Sequence, residues 1–157
     1  MKPILVFVIT VAVLVTAGSA SSRPQARAGC APLLLLPRAA SAGEFTLYGH
    51  IKSLKRKGTR FELRFDPASW LTGVTAARAA LEDTGSNDVP NDYYIRDSDH
   101  RLLTYRVPAT TPVTILTRGT CTTRTTPAKL ARSVPPAGFW IRVRGDTVRS
   151  LDQQYQP

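Results

Sequence analysis

The chain has 157 residues, room for one domain once targeting sequence is set aside. Lys and Arg number 21 against 11 Asp and Glu, a formal charge of +10, so long-range attraction favours contact with anionic polymers or membrane surfaces. Two cysteines and two histidines, with no Cys-x-x-Cys or His-x-x-x-His spacing, argue against a zinc centre.

Met1-Lys2-Pro3 is a short basic start, Ile4 to Ala17 is an almost unbroken apolar run, and Gly18-Ser19-Ala20 supplies small residues for a signal peptidase. The run is shorter than the roughly 20 apolar residues a membrane helix needs. Residues 1–20 are therefore expected to be a signal peptide. The mature protein is expected outside the cytoplasmic membrane, secreted or held at the cell envelope, with no integral membrane domain. A second small-x-small site, Ala26-Arg27-Ala28, leaves the cleavage position open. Residues 21–43 read as linker, mostly disordered, with Leu33–Leu36 fenced by Pro32 and Pro37. Cys30 has three open fates: lipidation after Ala28-Gly29, despite Arg27 where an aliphatic residue is wanted; a disulfide with Cys121; or a free thiol.

Residues 44–157 read as one β-rich domain. Phe45, Leu47, Gly49 and Ile51 alternate with polar neighbours, and Phe61, Leu63 and Phe65 alternate with Arg60, Glu62 and Arg64. With Lys55-Arg56-Lys57-Gly58 between them, the two runs predict a β-hairpin. Asp66-Pro67 predicts the end of the second strand and one helical turn through Trp70, with Asp66 as N-cap. Thr72 is positioned to cap a longer helix that ends at Gly85. Tyr93-Tyr94-Ile95, the turn Asp97–His100 and the return Leu102–Val107 follow, then Val113–Leu116 as a further strand. Arg118 to Thr126 reads as loop and Pro127 to Ser133 as one or two helical turns. Phe139, Ile141 and Val143 open a last pair of strands around Gly145-Asp146. The fold class is mainly β: a small antiparallel barrel or curled sheet, OB-like, with one or two short helices.

Several strings occur together: Tyr48-Gly49-His50-Ile51, Asp66-Pro67-Ala68-Ser69-Trp70-Leu71-Thr72-Gly73, Val89-Pro90-Asn91-Asp92-Tyr93-Tyr94-Ile95, Asp146-Thr147-Val148 and Asp152-Gln153-Gln154-Tyr155. On these the chain resembles a family of small, uncharacterised exported proteins from actinobacteria and related Gram-positive bacteria. The resemblance covers nearly all of residues 44–157 and implies export and a single domain, but no activity. Glu82-Asp83-Thr84-Gly85 carries one residue more than the family's pattern, which bears on the local turn.

Asp66, Glu82, Asp83, Asp88 and Asp92 offer carboxylates for acid–base work or for calcium, yet the Asp-x-Asp-x-Asp-Gly loop is missing. There is no Gly-x-Ser-x-Gly elbow, and no cofactor is expected. Lys55, Arg56, Lys57 and Arg60 concentrate charge on the first hairpin, flanked by Lys52 and Arg64. Tyr93 and Tyr94 could stack on a sugar or a base. The leading expectation is a non-catalytic envelope-binding module for an anionic polymer or carbohydrate, with Lys55, Arg56, Lys57, Arg60, Tyr93 and Tyr94 as ligand-binding residues. One alternative is a small hydrolase or metal-dependent enzyme using Asp66 and Asp92. Another is an accessory subunit of an envelope complex, docked through Leu33–Leu36.

Overall fold

The computed structural model describes residues 40–117 and 121–156. The predicted signal peptide, Cys30 and Leu33–Leu36 lie outside the described residues. Among those described, no helix is long and apolar enough to cross a membrane.

The fold starts from a long hairpin, β1 (Phe45–Lys57) and β2 (Arg60–Thr72), antiparallel from Tyr48↔Ala68 to Lys57↔Arg60. That register leaves Gly58-Thr59 as a two-residue turn, and Gly58 takes the positive φ of 63° such a turn favours. Alternation on β1 is not uniform. Leu47 and Ile51 pack on the core, but so does Leu54, because a bulge between Ile51 and Ser53 inserts Lys52 and shifts the inward parity. Phe61, Leu63 and Phe65 on β2 are buried as their alternation predicts.

The predicted turn of helix from Asp66 to Trp70 does not form. β2 runs straight through Asp66-Pro67 to Thr72, and Asp66 faces His50 across the ladder rather than capping a helix. Two features allow a proline here. Gly49 opposes Pro67, and a β-carbon at Gly49 would stand 2.1 Å from the Asp66 carbonyl oxygen, so only glycine lets the backbones approach. On its other edge β2 pairs β4 through residues 60–65 and β3 through residues 69–72, so Pro67 falls in the gap between two ladders.

Helix α1 (Gly73–Thr84) begins after Thr72, as predicted, although the Thr72 side chain makes no capping bond. It ends on Gly85 at φ 78°, whose N–H donates to the Leu81 carbonyl. Thr84 is the last helical residue, its hydroxyl donating to the Ala80 carbonyl at 2.7 Å. A 3-10 turn, Pro90–Asp92, then carries Asn91 and Asp92 at φ 65° and 58°, a conformation these two residue types tolerate best after glycine.

β3 (Tyr93–Arg96) and β4 (Leu103–Pro108) both pair with β2, not with each other, so the expected return strand is not a hairpin partner of β3. β5 (Val113–Thr117) continues to β6 (Cys121–Thr125), antiparallel, where a loop was expected. The β-branched threonines that read as loop composition suit a pleated edge equally well. α2 (Pro127–Leu130) is capped by the Thr126 side chain. β7 (Gly138–Arg144) and β8 (Thr147–Gln153) close the chain as the predicted hairpin around Gly145-Asp146.

The eight strands form one mainly antiparallel sheet that curls on itself. Five of them ring: β1 pairs β2 and β7, β7 pairs β8, β2 pairs β4, and β4 meets β8 in parallel. This is the neighbour order of an OB-type ring. The last contact is one bridge, Arg106↔Thr147, plus the Arg106 N–H donating to the Asp146 carbonyl at 2.8 Å. Closure is too thin for a clear barrel. Inside lie Leu63, Phe65, Val107, Phe139, Ile141, Val143 and Leu151, with Leu130 of α2 against one end. Each large side chain so buried is worth about 1.5–3 kcal/mol.

Candidate functional site

Cross-strand pairing decides which charges share a face. Phe61, Leu63 and Phe65 point into the core, so Arg60, Glu62 and Arg64 point out. Their direct partners share that face: Lys57 and Pro108 beside Arg60, Lys55 and Arg106 beside Glu62, Thr104 beside Arg64. The outer face of β1, β2 and β4 thus carries Lys55, Lys57, Arg60, Arg64 and Arg106. Arg106 is paired with Asp146 on the β7–β8 turn, and that guanidinium holds the Asp146 carboxyl below the usual carboxylate range. Among the described residues, Lys55, Lys57, Arg60 and Arg64 form no ion pair. A groove of about 320 Å³ runs between the turns, lined by Lys57, Arg60, Glu62, Thr104, Arg106 and Asp146. A second hollow continues it past Arg60 and Arg106 to Pro108 and Thr147.

Two of the predicted basic residues stand elsewhere. Arg56 opposes Phe61, and so lies on the other side of the hairpin from Lys55 and Lys57. Its guanidinium carbon sits 5.9 Å from the Phe61 ring centroid, and its Nε donates to the Gly58 carbonyl. Lys52, placed by the bulge, donates to Asp66 Oδ2 at 2.9 Å, and that contact raises its pKa. Arg106 was missed in the sequence because only the β2–β4 register brings it beside Glu62.

Tyr93 and Tyr94 are not at the basic face. β3 pairs with β2 near Trp70, about ten residues from Arg60 and so roughly 30 Å along the strand. Tyr93 stacks on Trp70, with ring centroids 4.1 Å apart and planes 13° apart. Trp70 in turn meets buried Tyr48, which lies against Trp140. The Tyr48 hydroxyl accepts from Gln156 Nε2, and Trp140 Nε1 donates to Gln154 Oε1. Burial first, and the nearby Tyr93 second, push the Tyr48 hydroxyl up to about 12. Tyr48, Trp70, Tyr93 and Gln154, from four of the strings singled out in the sequence, therefore meet in or beside one aromatic cluster, while Asp146-Thr147-Val148 lies at the β7–β8 turn.

Tyr94 turns to the opposite face of β3, where its hydroxyl donates to Asp83 Oδ2. Arg96, two residues on, reaches Asp83, Glu82 and the Ala79 carbonyl together. These contacts pin the end of α1 to β3 and hold the Asp83 carboxyl below its usual range, chiefly through Arg96. Asp88 and Asp92 are exposed on the connecting loop. Tyr93, next to Asp92, pairs with Thr72, six residues from Asp66 and so roughly 20 Å along β2. Asp66 and Asp92 are not brought together. Asp66 instead lies near Asp97 and His100. Cys121 opens β6 and is disulfide-bonded, whereas Cys30 is outside the described residues.

The chain matches no protein family, no curated protein and no solved structure.

Proposed function

We propose that the protein is an exported, non-catalytic module that binds an anionic, phosphate-bearing polymer of the cell envelope on the outer face of β1, β2 and β4. The observation that carries this reading is the row of cations Lys55, Lys57, Arg60 and Arg64, without an ion-pair partner among the described residues, beside a groove reaching the β7–β8 turn. In OB-type rings the corresponding strands and turns meet oligonucleotides and oligosaccharides. The groove is open and lined mostly by charged residues, which suits a chain passing across it more than an enclosed small molecule. A catalytic reading has less support, since Glu82 and Asp83 are held by Arg96, and Asp92 is remote from Asp66.

The test is a titration of the mature protein with teichoic acid across a salt series. Each phosphate neutralised releases condensed counterions, so affinity falls steeply as salt rises. Lys55→Glu, Lys57→Glu and Arg60→Glu combined should remove most of the binding and leave the thermal midpoint nearly unchanged, because all three side chains are exposed. Equal affinity of the wild type and this variant would reject the proposal.

A further inference from the structure

One set of side chains serves neither the core nor the basic face. Asp66 projects from the middle of β2, 1% exposed, with Lys52 on Oδ2 and, among the described residues, no hydrogen-bond partner for Oδ1. A buried carboxylate oxygen left without a partner is costly, and natural structures rarely keep one without a reason. The reason is next to it. The β3–β4 connection carries Asp97 and His100, three residues apart, over the same face of the sheet. One ligand atom each from Asp66, Asp97 and His100 lie within 4.8 Å of one another. Asp97 Oδ1 and His100 Nδ1 are already 3.6 Å apart.

We propose that Asp66, Asp97 and His100 form a binding site for a divalent transition-metal ion. Two carboxylate oxygens and one imidazole nitrogen suit Zn²⁺ and its first-row neighbours, whereas Ca²⁺ and Mg²⁺ are held by oxygen alone. Bonds of about 2.1 Å in a tetrahedral shell put donors about 3.4 Å apart. The three groups therefore need to draw in by on the order of 1 Å. Asp66 is fixed by its strand, while Asp97 and His100 are exposed loop residues free to make that adjustment. Lys52 occupies Oδ2, which leaves Oδ1 as the oxygen of Asp66 open to the ion. Three protein ligands leave a fourth position for water or a small anion. The ion would fasten the β3–β4 loop to the hairpin beside the bulge at Lys52. Sequence spacing gave no sign of this, because Asp66 comes from a distant strand and the other two from a turn.

The test uses tag-free mature protein, stripped with a chelator and titrated with Zn²⁺ by calorimetry. The expected result is one Zn²⁺ per chain, a higher thermal midpoint when saturated, and no competition from a tenfold excess of Mg²⁺. His100→Ala and Asp97→Asn should each weaken binding at least tenfold and abolish the thermal shift. His100 is largely exposed, so its loss leaves the fold intact even if Asp66→Asn does not fold. A wild type that takes up no stoichiometric Zn²⁺, a His100→Ala protein that binds as tightly as the wild type, or displacement by Mg²⁺ would each overturn the proposal.

Discussion

Gly138 of β7 lies directly under the Tyr48 ring: a β-carbon there would stand 1.9 Å from the Tyr48 hydroxyl oxygen and 2.4 Å from Cζ. The tyrosine is buried and wedged between Trp70 and Trp140, so it has nowhere to move. Gly138→Ala should therefore destabilise the domain by about 1–3 kcal/mol, the usual range for overpacking, and the upper end is expected because the obstacle is a rigid ring. Urea unfolding of the two proteins, compared at a common m-value, checks it.

The same tyrosine sets an alkaline limit. Its folded pKa is raised to about 12, against an unfolded value near 10. A raised folded pKa contributes stability that is complete below about pH 10 and is lost as pH climbs towards the folded value. Stability should therefore fall between about pH 10 and pH 12, and part of that slope should vanish in Tyr48→Phe. Thermal midpoints measured at half-unit steps of pH decide the point.

At the acid end the Asp83–Arg96 contact governs the docking of α1. The Asp83 carboxyl is lowered in the folded protein, so its contribution is complete above the ordinary aspartate value of about 4 and is lost as pH falls below it. Amide exchange in α1 should rise in that acid window ahead of exchange in β7. Replacing Arg96 by Met should bring the rise to neutral pH.

How much of this was legible in the sequence depends on the range of each interaction. The β1–β2 hairpin, the end of α1 at Gly85 and the β7–β8 turn were readable because alternation, or a glycine at a positive φ, decides them within a few residues. Asp66-Pro67 misled because the pair is a sound helix start by local rules. What overrides it is long-range: Gly49 across the ladder and the gap between β3 and β4. β6 was missed since Thr-rich composition does not separate an edge strand from a loop. Lys55, Arg56 and Lys57, read as the turn itself, are strand residues, since β1 runs through Lys57 and the turn is Gly58-Thr59, and Arg56 falls on the other face from its two neighbours. Its face depends on strand parity, which the bulge at Lys52 resets.

The N-terminal expectations reduce to one mass measurement. Protein recovered from a Gram-positive host should have lost about twenty residues, and its tryptic digest without reductant should contain a Cys30–Cys121 linked peptide. A lipid-modified Cys30 would give a heavier, detergent-partitioning species instead. An intact N-terminus retained on the membrane would refute export of a cleaved form.

Geometry and charge count make different demands on the hairpin tip. Arg56 and Lys57 are adjacent and equally basic, so a model in which the hairpin tip acts as a diffuse positive cloud makes their reversals equivalent. The register makes them different. Lys57 opposes Arg60 on the face that continues through Pro108 and the groove, whereas Arg56 opposes Phe61 on the other side, with its guanidinium near that ring. Lys57→Glu should weaken binding of a phosphate polymer and lower the magnitude of the salt slope by roughly one, as expected when a phosphate contact is lost. Arg56→Glu changes net charge identically, so it should slow association through the long-range field but leave the salt slope nearly intact. It should also lower stability slightly through the lost ring contact, by about 0.5–1 kcal/mol. Binding isotherms at four salt concentrations for both variants provide the comparison. Matching slopes for the two would mean that the β1–β2–β4 face does not direct the polymer.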